Sequence, residues 1–151
     1  MIVGTEWLIE AEGCDQDRLR DESVLRDVFA SVISDLGLRS IDSVWHKFEG
    51  EGGVTGMVAL TESHLACHTY PEYRIATFNL YCCRTRPEWD WELNLKCVLG
   101  AARVKITKVE RGSNRSEISD LKSEIEATSS ATANPQSATR SPQSRTAGGD
   151  A

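Results

Sequence analysis

The segment LTESHLACHTYPE, residues 60–72, holds most of the side chains in this sequence that could do chemistry. Within 13 residues it supplies one serine, two histidines, one cysteine and two glutamates, set between apolar positions. Such groups serve as nucleophiles, general bases or metal ligands. Each has an ordinary structural role when it occurs alone, but their concentration in one short segment indicates a functional site.

Two common kinds of site fit this segment poorly. The first is a metal site, for which the segment HLACH and the later pair Cys82 and Cys83 offer imidazoles and thiols. However, there is no CxxC pair, and the side chains of adjacent strand residues point to opposite sides. No GxSxG sequence supports a Ser-His-Asp hydrolase. We therefore predict no metal, and a non-catalytic thiol or metal-binding module stays open as a hypothesis of another class.

Composition restricts the class of protein. The 151 residues carry a net charge of −6, which argues against nucleic-acid binding, and no apolar run reaches the roughly 18 residues of a membrane span. Five cysteines at irregular spacing favour free thiols in a reducing cytoplasm. Residues 113–151 contain no aromatic residue and are rich in Ser, Thr and Ala, so we predict a disordered low-complexity tail after a folded domain at 1–112.

Hydrophobic periodicity predicts five strands and two helices in that domain. Strands are predicted at 3–11, 38–48, 54–62, 74–83 and 102–110, with a glycine-rich turn at 49–53. One helix is expected to begin with Ser23 as its cap and to end at Gly37, and the other to start near Pro87 and to stop at Gly100. This order predicts an α+β fold, a two-layer sandwich with two helices on one face of a mostly antiparallel sheet. The other face needs cover, so we expect a dimer layered helix–sheet–sheet–helix.

Side-chain alternation gives the reactive residues their faces. It places Cys82 with the apolar set of its strand and Cys83 with the polar set, where a thiol can do acid–base work. It also continues the hydroxyl-bearing side of Thr55 to Ser63. A straight strand would separate Ser63 from His68 by about 16 Å at roughly 3.3 Å per residue. For these two to cooperate, we expect the chain to turn back near Ser63 and His64.

The sequence TESHLACHTYPE resembles the prokaryotic S-adenosylmethionine decarboxylase proenzyme family, pyruvoyl-dependent enzymes of polyamine and spermidine synthesis. The family segment is Glu-Ser-His, three residues, His-Thr, an aromatic residue and Pro-Glu. This chain supplies Glu62, Ser63, His64, His68, Thr69, Tyr70, Pro71 and Glu72. The resemblance covers roughly residues 1–112.

The resemblance implies a self-cleaving enzyme. The Glu62–Ser63 bond would be cut by the serine hydroxyl, and Ser63 would become a covalent pyruvoyl group, the cofactor, which forms a Schiff base with the substrate. His68 matches the base of this processing, Thr55 a supporting hydroxyl, and Cys83 the donor that returns a proton to the substrate carbon. The implied assembly is a homo-oligomer of processed α/β protomers, at least a dimer.

Substrate binding is implied at Phe48 and Glu72, and at Glu6 through a segment similar to the eukaryotic enzymes. The chain departs from the family pattern in the EGEGG loop after Phe48, in Tyr70, in Arg74 and in the extra thiol of Cys82. These departures leave the processing residues intact and affect the pocket. Some relatives on this scaffold decarboxylate arginine or ornithine, which is the alternative substrate class.

Overall fold

The computed structural model describes residues 1–112, which form a single antiparallel sheet with helices packed on one side. The predicted tail at 113–151 lies outside the described residues. The strands are β1 Ile2–Glu12, β2 Ser40–Lys47, β3 Val54–Leu60, β4 Ser63–Tyr70, β5 Ile75–Cys82 and β6 Arg103–Gly112. The helices are α1 Gln16–Arg20, α2 Glu22–Asp35 and α3 Trp91–Leu99, with a short 3-10 turn at Pro71–Tyr73. The strand order is β2-β3-β4-β5-β1-β6, and every neighbouring pair is antiparallel.

The sheet contains one strand more than the sequence pattern predicted. β4 covers the reactive segment itself, and it lies between β3 and β5 in the sheet. Its alternation is clear in the structure, because Leu65, Cys67 and Thr69 are buried while the residues between them are more accessible. The polar residues at 63, 64 and 68 hid this period in the sequence.

Both longer helices end where glycine predicted and begin elsewhere than predicted. Gly37, at φ +59°, follows the end of α2, and Gly100, at φ +65°, follows α3. The cap of α2 is Asp21 rather than Ser23, since its carboxylate accepts the amide of Ser23 at 2.8 Å. In α3 the cap is Asp90 rather than a residue near Pro87, and its carboxylate accepts the Leu93 amide at 3.1 Å.

The core lies between the sheet and the helices. Phe78 on β5 joins the two longer helices, with ring centroids 6.4 Å from Phe29 of α2 and 5.9 Å from Trp91 of α3. Burying a large apolar side chain of this kind stabilises the fold by about 1.5–3 kcal/mol. The α+β architecture with helices on one face is therefore as predicted, with α1 as an additional short helix.

The opposite face of the sheet carries no helix. We call this side the open face. It presents large apolar side chains to solvent, with Leu8 41%, Met57 53% and Val44 71% exposed. No helix within residues 1–112 has the length and apolar character to cross a bilayer.

Thr69 ties the start of β3 to β4 and to α1. Its hydroxyl donates to the carbonyl of Leu19 at 2.8 Å and accepts the amide of Val54 at 2.8 Å. Gly53 passes so close that a Cβ there would lie 2.0 Å from the Thr69 carbonyl oxygen. Gly53 and Thr69 thus hold the loop before β3 against β4, the strand that carries His68.

Candidate active site

The hairpin between β3 and β4 places the reactive serine next to a turn. Leu60 pairs with Ser63, so Thr61 and Glu62 form the turn, and Ser63 is the first residue of β4. Ser63 also pairs with Cys82, the last residue of β5. We call this region the processing turn; its residues are Glu62, Ser63, Cys82, Cys83, Arg84 and Arg86.

The Ser63 hydroxyl is buried at the helical side of the sheet. Among residues 1–112 no group gives its oxygen a well-formed hydrogen bond, and the Cys82 thiol across the β4–β5 pair is the polar neighbour with which it interacts. It borders a cavity of about 40 Å³ that Glu62, Cys82 and Arg86 also line, which is room for a water molecule. The Ser63 hydroxyl thus directly follows the Glu62 carbonyl in the chain and is not held by a strong hydrogen bond to protein groups.

The carbonyl of Glu62 precedes this serine and receives a hydrogen bond of its own. The backbone amide of Cys83 donates to the Glu62 oxygen at 3.1 Å. If a nucleophile attacks the Glu62 carbonyl carbon, negative charge develops on this oxygen, and a preformed amide donor stabilises it. The turn therefore combines a nucleophile, an acyl carbon and a donor for the oxyanion.

The two adjacent cysteines differ as the alternation predicted. Cys82 is 1% exposed and lies on the helical side, where burial raises the pKa of its thiol. Cys83 follows the end of β5 and is exposed.

A second group of reactive residues lies on the open face. Thr55 Oγ1 is 2.5 Å from His68 Nδ1, because β3 and β4 pair these two residues directly. Ring centroids of Phe48 and Tyr70 lie 5.6 Å and 4.6 Å from that of His68, and His46 packs against Phe48 at 4.6 Å. We call these five residues the His68 cluster.

Ser63 and His68 do not meet within one chain. The chain reverses at Thr61 and Glu62, before Ser63 rather than after it, so Ser63 begins β4 and His68 lies five residues further along the same strand. Their odd separation puts them on opposite faces. The expectation that Ser63 continues the hydroxyl side of Thr55 is wrong for the same reason.

Glu6 belongs to a polar network on the open face that sequence reasoning did not find. Asn79 Nδ2 donates to Glu6 Oε1 at 2.6 Å, Asn79 Oδ1 lies 3.0 Å from His64 Nε2, and Arg111 pairs with Glu6. The Asn79 hydrogen bond lowers the pKa of Glu6 against opposing burial, and the Arg111 guanidinium lowers it further. The only sequence signal was that Glu6, His64 and Asn79 all fall on polar positions of alternating strands, which does not reveal their register.

Glu72 lies beside the His68 cluster, and Arg74 has a structural role. Glu72 is exposed in the 3-10 turn directly after Tyr70. Arg74 adopts φ +58°, and its Nε donates to the carbonyl of Cys14 at 2.9 Å, so this departure from the family fastens the loop after β1. Among residues 1–112 no group of three His, Cys, Asp or Glu side chains is arranged to hold a metal ion.

Comparison with known proteins agrees with the fold. Residues 5–112 match the family model described as S-adenosylmethionine decarboxylase. The S-adenosylmethionine decarboxylase proenzyme of Prochlorococcus marinus (strain MIT 9313) is 35% identical over 112 residues, covering 73% of this chain and 88% of that protein. The proenzyme of Syntrophomonas wolfei is 32% identical over 111 residues, covering 73% and 87%.

The fold also matches a solved structure. The adenosylmethionine decarboxylase of Aquifex aeolicus superposes with a TM-score of 0.61 at 24% identity, covering 76% of this chain and 94% of that one. The fold and the site together define an α+β enzyme with a serine at the turn between two strands. The chain belongs to the S-adenosylmethionine decarboxylase family.

Proposed function

We propose that this chain cleaves itself between Glu62 and Ser63 and then decarboxylates S-adenosylmethionine. The observation that carries the proposal is the processing turn, where a buried hydroxyl that makes no well-formed hydrogen bond follows a carbonyl that already accepts the Cys83 amide at 3.1 Å. The relatives are named S-adenosylmethionine decarboxylase proenzyme, and these names supply the substrate and the processing.

Cleavage needs only groups of the chain and one water. Ser63 Oγ attacks the Glu62 carbonyl carbon, the peptide C–N bond breaks, and the proton passes to nitrogen, which leaves an ester. Removal of the Ser63 Cα proton then breaks the Cβ–Oγ bond and releases Glu62 as a carboxylate. Water replaces the nitrogen of the remaining unsaturated residue, with loss of ammonia, and a pyruvoyl group stays at position 63.

The residues present fit that group. The Ser63 oxygen makes no well-formed hydrogen bond with protein groups of residues 1–112, so little is lost when that oxygen leaves. The pyruvoyl carbonyl supplies an electrophile for the substrate amine and a sink for the electrons released with carbon dioxide. Cys83 is the exposed thiol beside position 63, and we assign it the return of a proton to the substrate carbon.

His68 reaches this turn from a second copy of the chain. The Ser63 side chain lies on the helical side of the sheet, at the turn between β3 and β4. His68 of the same chain lies on the open face, but five residues away along β4. Two copies that stack their open faces bring the His68 cluster of one toward the processing turn of the other.

The apolar character of the open face supports such stacking. Leu8, Val44 and Met57 are all at least two-fifths exposed in one chain, although they occupy a strand face rather than a loop. Apolar surface of this kind is stabilised by burial at about 25 cal/mol per Å². The dimer proposed here contains four chains after cleavage, two of 62 and two of 89 residues.

The substrate pocket is proposed at Phe48, Tyr70 and Glu72 of one copy, beside position 63 of the other. Aromatic rings attract a sulfonium cation by about 0.5–2 kcal/mol. In the acidic loop after β2, Glu51 pairs with Arg20 at 2.9 Å, and Lys47 Nζ donates to carbonyls at Phe48 and Gly52. The charge of this loop does not distinguish a sulfonium from the side-chain cation of arginine or ornithine, so the aromatic rings and the names of the relatives carry the choice of substrate.

The shared site has a direct test, in which Ser63→Ala and His68→Ala chains with different tags are co-expressed. Neither variant should cleave efficiently alone. In mixed dimers, the His68→Ala chain retains Ser63 and can use His68 of its partner, so that chain should be cut. Cleavage in cis would leave the mixture as uncut as the separate variants, and intact-mass analysis distinguishes the two results.

The substrate is tested on processed protein by carbon dioxide release. S-adenosylmethionine should react faster than arginine or ornithine, and Phe48→Ala should raise the KM for it. Turnover of arginine or ornithine with S-adenosylmethionine inert would assign the chain to the alternative substrate class. An uncut chain with no release from any of the three would favour the non-catalytic module.

A further inference from the structure

Two arginines hold the side chain of the residue that precedes the scissile bond. Arg84 Nε lies 3.1 Å from Glu62 Oε1, and Arg86 Nη2 lies 3.2 Å from Glu62 Oε2. Glu62 and Arg86 are each 27% exposed at the side chain, whereas Arg84 is 72% exposed. Each guanidinium thus occupies a different oxygen of one carboxylate, in the loop that also supplies the Cys83 amide to the Glu62 carbonyl.

The charges of this cluster are unbalanced in the uncut chain. One carboxylate faces two guanidinium groups, and these charges are close enough to matter because two of the three side chains are mostly shielded from water. Cleavage after Glu62 adds a second carboxylate, the new α-carboxylate. It forms at the carbonyl carbon whose oxygen already accepts the Cys83 amide.

We propose that Arg84 and Arg86 form a carboxylate-binding site for the chain end that cleavage creates at Glu62. The inference rests on the proposed cleavage and goes beyond it. After the cut, two carboxylates meet two guanidinium groups, so the cluster is balanced only in the product. The site therefore retains the end of the shorter chain beside position 63.

The same pair acts before the cut as a positioning device. Attack by Ser63 places negative charge on the Glu62 carbonyl oxygen, close to the negative side chain of the same residue. Two guanidinium groups on that side chain offset the repulsion and hold the carbonyl against the Cys83 amide. Arg84 and Arg86 act through Glu62 and are positioning residues rather than catalytic ones.

The first test compares Arg84→Gln/Arg86→Gln with the native chain and with Arg103→Gln as a matched control. Arg103 pairs with Glu12, also as a guanidinium on a glutamate, but far from the turn. Cleavage is followed by intact mass after pulse synthesis in a cell-free system. We expect cleavage about tenfold slower in the double variant, since one lost charge-assisted hydrogen bond has roughly that effect on a rate, and a native rate in the control.

The second test probes the product end. Fully processed protein is exposed to a broad-specificity carboxypeptidase, and the shorter chain is weighed. Loss of Glu62 should be rapid in the double variant and slow in the native protein and in Arg103→Gln. Arg86→Lys, which keeps the charge and most of the packing, should lie between them and covers the case in which the double variant does not fold.

The outcomes separate this inference from the proposal beneath it. Native rates of cleavage together with an equally protected chain end in the double variant would overturn the carboxylate site and leave self-cleavage standing. Unchanged cleavage with a raised KM would assign the arginines to the substrate carboxylate and would overturn it too. A native chain that never cleaves would overturn both.

Discussion

The processing turn and the His68 cluster share strand β4, yet they are organised in different ways. At the turn, backbone geometry does most of the positioning, because the reversal at Thr61 and Glu62 and the pairing of Ser63 with Cys82 set the acyl carbon, the hydroxyl and the amide donor. In the His68 cluster side chains do it, through the contact of Thr55 with His68 and the surrounding rings.

This difference teaches that a reactive segment can be continuous in sequence and divided in function. Ser63 and His68 are five residues apart, but one faces the helices and the other faces the open side. In a β-strand, residues an odd number apart point to opposite faces, whereas in a helix residues three or four apart share one face. In the proposed enzyme each half is complete only with the other half of a second copy.

The largest effect is expected at the turn itself, where Ser63→Ala removes the nucleophile. The variant should fold and dimerise but stay at full length, with no detectable carbon dioxide release, because position 63 can no longer yield a carbonyl. Mass analysis and an activity assay measure both. Thr61→Ala, at the first position of the same turn, is the control and should cleave normally.

Cys83→Ala and His68→Ala should separate turnover from processing. Cys83→Ala keeps its backbone amide, so it should cleave and yet lose about 10²–10⁴ in kcat, the usual effect of an acid–base group. His68→Ala should instead slow cleavage and accumulate the ester, which hydroxylamine cuts. An uncut Cys83→Ala chain would mean that the thiol itself, and not only the amide, serves the processing turn.

Met57→Glu should separate the processing turn of one copy from the His68 cluster of the other by preventing dimerisation, while both groups of residues stay unchanged. Met57 is 53% exposed at the centre of the open face, and a carboxylate there opposes stacking of two sheets. We expect a monomer by light scattering, with cleavage and turnover reduced together. Leu93→Glu is the matched control, because Leu93 is 60% exposed on α3, on the helical side, and it should remain an active dimer.

The smallest effect is expected from Glu6→Gln, which weakens the network that ends at His64. The Asn79 hydrogen bond holds the pKa of Glu6 below its ordinary value of 4.5, so its contribution to stability is present above that pH and is lost as pH falls through the lowered value. The variant should lose about 1 kcal/mol at neutral pH. The difference should vanish in acid.

Urea unfolding of the uncut Ser63→Ala chain measures this difference at both pH values, since an intact chain avoids the complication of two fragments. Glu22→Gln is the comparison, because Glu22 pairs with Arg26 on the exposed side of α2. It should cost no more than about 0.5 kcal/mol. Equal losses for the two variants would show that the network adds nothing beyond a surface ion pair.

Much of this molecule could be predicted from local pattern. Alternation separates Trp7 and Ile9, which the structure buries, from Glu6, and it separates Cys82 from Cys83, because a strand side chain has only two directions. Gly37 and Gly100 marked the helix ends, since both adopt the left-handed conformation. The motif around Ser63 identified the family because its residue types serve one reaction at one spacing.

Only the tertiary structure decided how these residues meet. Strand register is a pairing between distant segments, and no local pattern shows it. The sequence therefore could not reveal that the Cys83 amide donates to the Glu62 carbonyl or that two arginines pair with the Glu62 carboxylate. It also could not reveal that Asn79 links His64 to Glu6. The position of the reversal mattered most. A turn at Thr61 and Glu62 rather than at Ser63 and His64 makes Ser63 the first residue of β4, on the helical side, instead of a continuation of β3 on the side of Thr55.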